Sequence, residues 1–151
     1  MKYGLEKKMN NKKVIRVVFL IIWMAFIFFM SSMPGDISSE QSDFVLDILK
    51  MLGVDVSGER GMELSYIIRK IAHVSEYFIL CILLYRVWEM YFSKGKALIF
   101  SFISAFLYAG TDEFHQYFVP NRVGVFKDVI IDSFGALIAI VIISIIKNKK
   151  V

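Results

Sequence analysis

Two adjacent carboxylates, a histidine, a glutamine and an arginine crowd the stretch YAGTDEFHQYFVPNR, residues 108–122, as Asp112, Glu113, His115, Gln116 and Arg122. An imidazole beside carboxylates can take up or release a proton near neutral pH, and a guanidinium presents a planar fork to phosphate or carboxylate. The same residue types recur elsewhere at helical intervals. Arg69, His73 and Glu76 are spaced i, i+4, i+7, with Lys70 and Tyr77 alongside, and Asp128 and Asp132 are spaced i, i+4. Residues at such intervals share one face of a helix. His73, Glu76, Asp112, Glu113 and His115 are therefore the candidates for acid–base catalysis. Arg69, Lys70, Tyr77, Tyr108, Gln116, Arg122, Asp128 and Asp132 are the candidates for binding a ligand. No metal and no cofactor is expected: Glu-x-x-His pairs hold metals in some helix bundles, but His73-x-x-Glu76 and Asp112-Glu113-x-His115 have that order reversed and unmatched. A serine elbow, a phosphate-cradling glycine loop and a zinc-protease helix are all missing from the sequence.

The elements that must position these groups are apolar. Of 151 residues 57% are hydrophobic, above the roughly 45–50% of soluble domains, which points to a bilayer. Four segments are long enough to cross a hydrocarbon core of about 30 Å as helices: residues 14–33, 67–88, 97–118 and 128–146. The first ends at Pro34-Gly35, where proline removes an amide proton and bends the chain out of helical geometry. Its basic start and Ser31-Ser32 also resemble a cleaved signal peptide, but a signal core is about 7–15 residues and this stretch reaches about 20. Between the first two spans, Phe44, Val45, Ile48, Leu49, Met51 and Leu52 recur at near-helical spacing, as in a short amphipathic helix on a membrane surface. The fold expected is an all-α membrane protein, a bundle of four transmembrane helices. Its parts are a basic tail over residues 1–13, the membrane domain over 14–146 and a second basic tail over 147–151.

Lysines and arginines set the direction, because basic flanks stay in the cytoplasm. Lys2, Lys7, Lys8, Lys12 and Lys13 precede the first span, Arg86, Lys94 and Lys96 separate the second from the third, and Lys147, Lys149 and Lys150 follow the fourth. Both termini are thus expected inside. The acidic segment carrying Asp36, Glu40, Asp43, Asp47, Asp55, Glu59 and Glu63 is expected outside. This order brings the start of the second span, the end of the third and the start of the fourth to one outer site. Helix dipoles agree, since Asp112 and Glu113 at a negative end and Arg69 and Lys70 at a positive end are each misplaced for their own helix and offset one another across the site. A pairing of Arg69 with Asp112 is the contact such an arrangement suggests. Ser101, Ser104 and Gly135 are expected to let helices approach closely, and Cys81, the single cysteine, to fill space.

The motifs SSMPG at the end of the first span, RKIAHVSEY at residues 69–77, and YAGTDEFHQYFVPNR followed by DVIIDSFG at residues 128–135 resemble those of the VanZ-like membrane protein family. The resemblance extends over about residues 14–146. Asn121 departs from it, standing where the family often has glycine, but asparagine also tolerates a left-handed backbone. The resemblance implies a small multi-pass protein of the bacterial cell membrane. Some members of that family are associated with reduced susceptibility to glycopeptides, notably teicoplanin, and the resemblance brings no settled reaction.

Two functions of different class follow. The first is a binding protein whose outer site holds an anionic lipid head group, a cell-wall precursor or a lipoglycopeptide, with membrane lipids as surroundings. The second is a membrane-embedded enzyme modifying an envelope lipid or cell-wall precursor, in which His73 or His115 moves a proton and Arg122 stabilises developing negative charge. Transport is a weaker third, because four short spans enclose a narrow path. The net charge of +4 is carried mostly by the ends, so no nucleic acid is expected as partner. The oligomeric state has no signal in the sequence.

Overall fold

Long apolar runs broken by Pro34, by loops carrying Gly53 and Gly124 and by the short turn at residues 89–93 fold into five helices and no strand among the described residues. The computed structural model describes residues 2–148, and side chains for residues 11–147. Lys149 and Lys150, and the side chains of Lys2, Lys7 and Lys8, lie outside that description. Helix α1 spans Lys2–Ser31, α2 Gly35–Met51, α3 Gly58–Trp88, α4 Lys94–Gln116 and α5 Phe126–Asn148. The basic segment expected as a tail therefore continues α1 from Lys2. Three helices are long and apolar enough to cross a membrane: Asn11–Ser31, Lys94–Gln116 and Phe126–Lys147. The segment expected as the second span belongs to α3, which begins at Gly58 rather than at residue 67. At about 1.5 Å per residue its 31 residues reach roughly 46 Å, well beyond a hydrocarbon core of about 30 Å.

Each break has a local cause. Pro34 opens α2 directly after α1. At the other end of α2, Gly53 takes φ 87°, and the amides of Gly53 and Val54 donate to the Lys50 and Leu49 carbonyls, both at 3.0 Å. Those two bonds close a left-handed glycine stop that satisfies the last free carbonyls of the helix.

The helices meet through small residues. Helix α3 packs most extensively on α5, then on α4, α1 and α2. Ala105, Ala109, Ala136 and Ala139 are fully buried around Tyr77, Leu80 and Cys81, as expected where close approach rather than exclusion of water drives helices together. A methyl group on Gly135 would lie 2.1 Å from the Val74 carbonyl oxygen, so α3 and α5 are in backbone contact there. Outward, Phe19, Ile22, Phe29, Ile99, Leu107 and Phe134 are exposed. Such a belt is costly in water and is matched by lipid. Helix α2 turns Ser42 and Leu46 to the bundle and leaves Phe44, Ile48 and Met51 outward. That is the arrangement expected of a helix lying in the membrane interface.

The two ends of the described chain share one end of the bundle. Arg16 on α1 and Arg86 on α3 lie 3.3 and 3.5 Å from Glu89, which Lys147 of α5 also reaches. Lys94 at the start of α4 donates to the Ser144 carbonyl at 3.2 Å. The opposite end therefore gathers the end of α1, the early turns of α3, the end of α4 and the start of α5.

Candidate functional site

At that opposite end the loop between α4 and α5 folds back over α1 and α2. Asn121 takes φ 56°, the left-handed conformation that its side chain tolerates. Its Nδ2 donates to Asp36 Oδ2 at 2.9 Å, and the Gly35 amide donates to the Pro120 carbonyl at 3.1 Å. A methyl group on Gly35 would sit 2.1 Å from the Asn121 carbonyl oxygen, so only glycine allows α2 to seat under the loop. Arg122 then reaches the end of α1, where its Nε donates to the Met33 carbonyl at 2.8 Å and its Nη2 to the Met30 carbonyl at 3.2 Å. A cation over the last carbonyls of a helix is favoured by the helix dipole. Partial burial lowers the Arg122 pKa, and the Asp112 carboxylate opposes that shift.

Arg122 also borders a cavity of about 390 Å³ lined by Arg69, Lys70, His73, Gln116, Lys127 and Asp128. Four cations thus surround one space with a single carboxylate among them, and Lys70 Nζ holds that carboxylate, Asp128 Oδ2, at 2.6 Å. The Lys70 ammonium also lies 5.2 Å over the Tyr66 ring, a neighbour four residues back that the motif reading passed over. A smaller adjoining cavity of about 160 Å³ shares Arg69, His73 and Arg122 and adds Glu76.

The expected partners sort differently from expectation. Arg69 and Asp112 form no ion pair among the described residues; Arg69 Nη1 donates instead to Ser39 Oγ on α2, at 3.3 Å. Helix α2, read from sequence as a surface element, thus supplies the arginine's partner. Asp112 Oδ2 accepts from Gln116 Nε2 at 3.3 Å, one helical turn on. Glu113 points elsewhere: its Oε2 accepts the Val125 amide at 3.0 Å and ties down the loop. Tyr108 donates to the Met24 carbonyl at 2.7 Å and clamps α4 to α1.

His115 stacks on Phe28, ring centres 4.5 Å apart, and its Nε2 lies 3.2 Å from Ser32 Oγ. The Ser32 hydroxyl spends its hydrogen on the Phe28 carbonyl at 2.6 Å, so His115 Nε2 is the donor. His115 is therefore bound into the α1–α4 contact, whereas His73 faces both cavities. Tyr77 is fully buried beneath them.

The VanZ/LLP1 family profile matches residues 16–147, most of the chain. The chain belongs to the VanZ/LLP1 family. No curated protein and no solved structure matches it. With three helices suited to crossing a bilayer, it is a VanZ/LLP1 membrane protein whose family-matched segment contains every candidate site residue. Two groups that organise it escaped the motif reading. Glu89, between three cations, stood outside every motif. Ser31, 2% exposed at the end of α1, lay within SSMPG, but only the packing of α1 on the bundle reveals that it is buried.

Proposed function

We propose that this VanZ/LLP1 protein is a multi-pass protein of the bacterial cell membrane whose outer-face site binds an anionic group of an envelope lipid, cell-wall precursor or lipoglycopeptide. In this reading α3 is the fourth span, both termini are cytoplasmic, and α2 lies in the outer interface. The cavity lined by Arg69, Lys70, Arg122 and Lys127 carries the proposal. Arg122 has three further N–H groups beyond the two it spends on α1 carbonyls, so its fork can serve both the helix and an incoming anion. The contribution to teicoplanin tolerance follows if the site sequesters or alters a surface ligand that the antibiotic also engages.

The test is mass spectrometry of lipids that co-purify with the protein from a membrane of mixed head groups. Native protein is expected to be enriched in anionic lipid or precursor, and the Arg69→Gln/Lys127→Gln variant is expected to lose that enrichment while remaining inserted. Native protein carrying the bulk lipid composition overturns the reading. A second reading, an enzyme acting on the same ligand, is supported by His73 Nδ1 at 3.7 Å from Asp132 Oδ1, a carboxylate placed to orient the imidazole. It requires turnover of the bound lipid, which His73→Gln would abolish without loss of binding.

A further inference from the structure

Beneath the cationic cavity lies a second, chemically opposite cluster. Asp112 and Asp132 are 3% and 1% exposed, yet among the described residues neither has a lysine or arginine within ion-pair distance. Lys70 is committed to Asp128, Arg69 to Ser39 and Arg122 to the end of α1. His73 and the two aspartates each offer one ligand atom, and these atoms lie within 4.8 Å of one another. Five buried polar atoms here have no hydrogen-bond partner: His73 Nδ1, Asp112 Oδ1, Asp132 Oδ2, Tyr77 Oη and Ser31 Oγ. They come from four helices, α1, α3, α4 and α5. Ser31 adjoins Asp112, and Tyr77 is within electrostatic reach of both aspartates.

Orphaned buried polar atoms are rare, and their convergence calls for something between them. A proton shared directly by two of these groups needs hydrogen-bond contact, but the imidazole and Asp132 stand 3.7 Å apart. That gap fits an ion. Donors about 2.1 Å from a tetrahedral metal lie roughly 3.4 Å from one another, so the His73–Asp132 spacing already approaches coordination distance. Small torsions of Asp112 would complete the set.

We propose that His73, Asp112 and Asp132 bind one divalent transition-metal ion, of the zinc or manganese class, at the floor of the outer site. The donor set selects that class, since imidazole nitrogen suits zinc and iron while carboxylate oxygens also suit manganese. Three protein ligands leave a coordination position free, and His73 lines the cationic cavity above. The ion thus faces the anion pocket of the proposed function and would bind a phosphate or carboxylate oxygen seated there. This placement rests on that reading of the pocket; the ion site itself rests on the orphaned atoms.

The experiment uses tag-free full-length protein in lipid nanodiscs, stripped with chelator and equilibrated with ZnCl2 or MnCl2 alone. Bound metal is measured by elemental mass spectrometry. Native protein is expected to retain about one equivalent, Asp132→Asn and His73→Gln at least tenfold less at limiting metal, and Lys96→Gln, exposed at the opposite end of the bundle, the native amount. Where a variant unfolds, Co2+ added to native protein gives an independent reading, with visible absorption bands of a nitrogen- and oxygen-ligated ion expected. Failure of native protein to take up metal, or uptake by Asp132→Asn and His73→Gln as high as by native protein, overturns the site in favour of bound water or protonated acids. Lipid enrichment is read on the same samples. Metal without enrichment removes the proposed ligand and leaves the ion, while enrichment without metal does the reverse.

Discussion

Adjacent residues at this site have different fates, because neighbouring positions on a helix point about 100° apart. Lys70 meets Asp128 while Arg69 turns to Ser39, and Asp112 enters the buried cluster while Glu113 holds the loop. The Lys70–Asp128 contact at 2.6 Å is partly buried, so it should be energetically coupled. In thermal unfolding, Lys70→Ala and Asp128→Ala are each expected to destabilise, with the double variant short of their sum by about 0.5–3 kcal/mol. Strict additivity would show that the pair contributes nothing to folding. Tyr108 makes a simpler case. Replacing it with phenylalanine deletes only the hydroxyl bonded to the Met24 carbonyl, and a loss of about 0.6–1.5 kcal/mol is expected in the same assay. A variant as stable as native protein would mean that the Met24 carbonyl finds another donor.

The helices hold the site by close approach, and Gly135 is where this is most demanding. A methyl group there would meet the Val74 carbonyl oxygen at 2.1 Å and the Phe78 amide nitrogen at 3.1 Å, both backbone atoms that cannot rotate aside. Gly135→Ala is therefore expected to separate α3 from α5 and to cost about 1–3 kcal/mol, read as a lower unfolding temperature in detergent. Because Asp132 lies one turn before Gly135 and His73 next to Val74, the same substitution should weaken metal uptake. Unchanged stability would mean that the α3–α5 contact is looser than the backbone distance indicates. The α2 element acts differently: it contributes Ser39 to Arg69 and seats Gly35 under the loop, so it roofs the cavity as well as lying at the surface.

Across the whole molecule, the arrangement has a side. Basic flanks at the Glu89 end and acidic residues along α2 and the segment after it predict that the cation-lined cavity opens outward. Cys81 is fully buried, so native protein should be inert to a membrane-impermeant thiol reagent. A cysteine at Asp55 should react in intact cells, whereas one at Lys96 should react only after the membrane is opened. Labelling of the Lys96 position in intact cells would invert the bundle and place the site on the cytoplasmic face. The sequence alone determined that helices would form, that Asn121 could accept a left-handed turn, and that the polar stripes of α3, α4 and α5 would converge at one end. Apolar length, backbone preference and alternating helix direction are local or topological properties, legible in one dimension. Only the tertiary structure decided which polar group meets which, because helical periodicity sets angles within a helix but not the rotation of one helix against another. That rotation comes from close contacts such as Gly135 on Val74, and it is what brings His73, Asp112 and Asp132 together while leaving Glu113, His115 and Tyr108 to hold the scaffold.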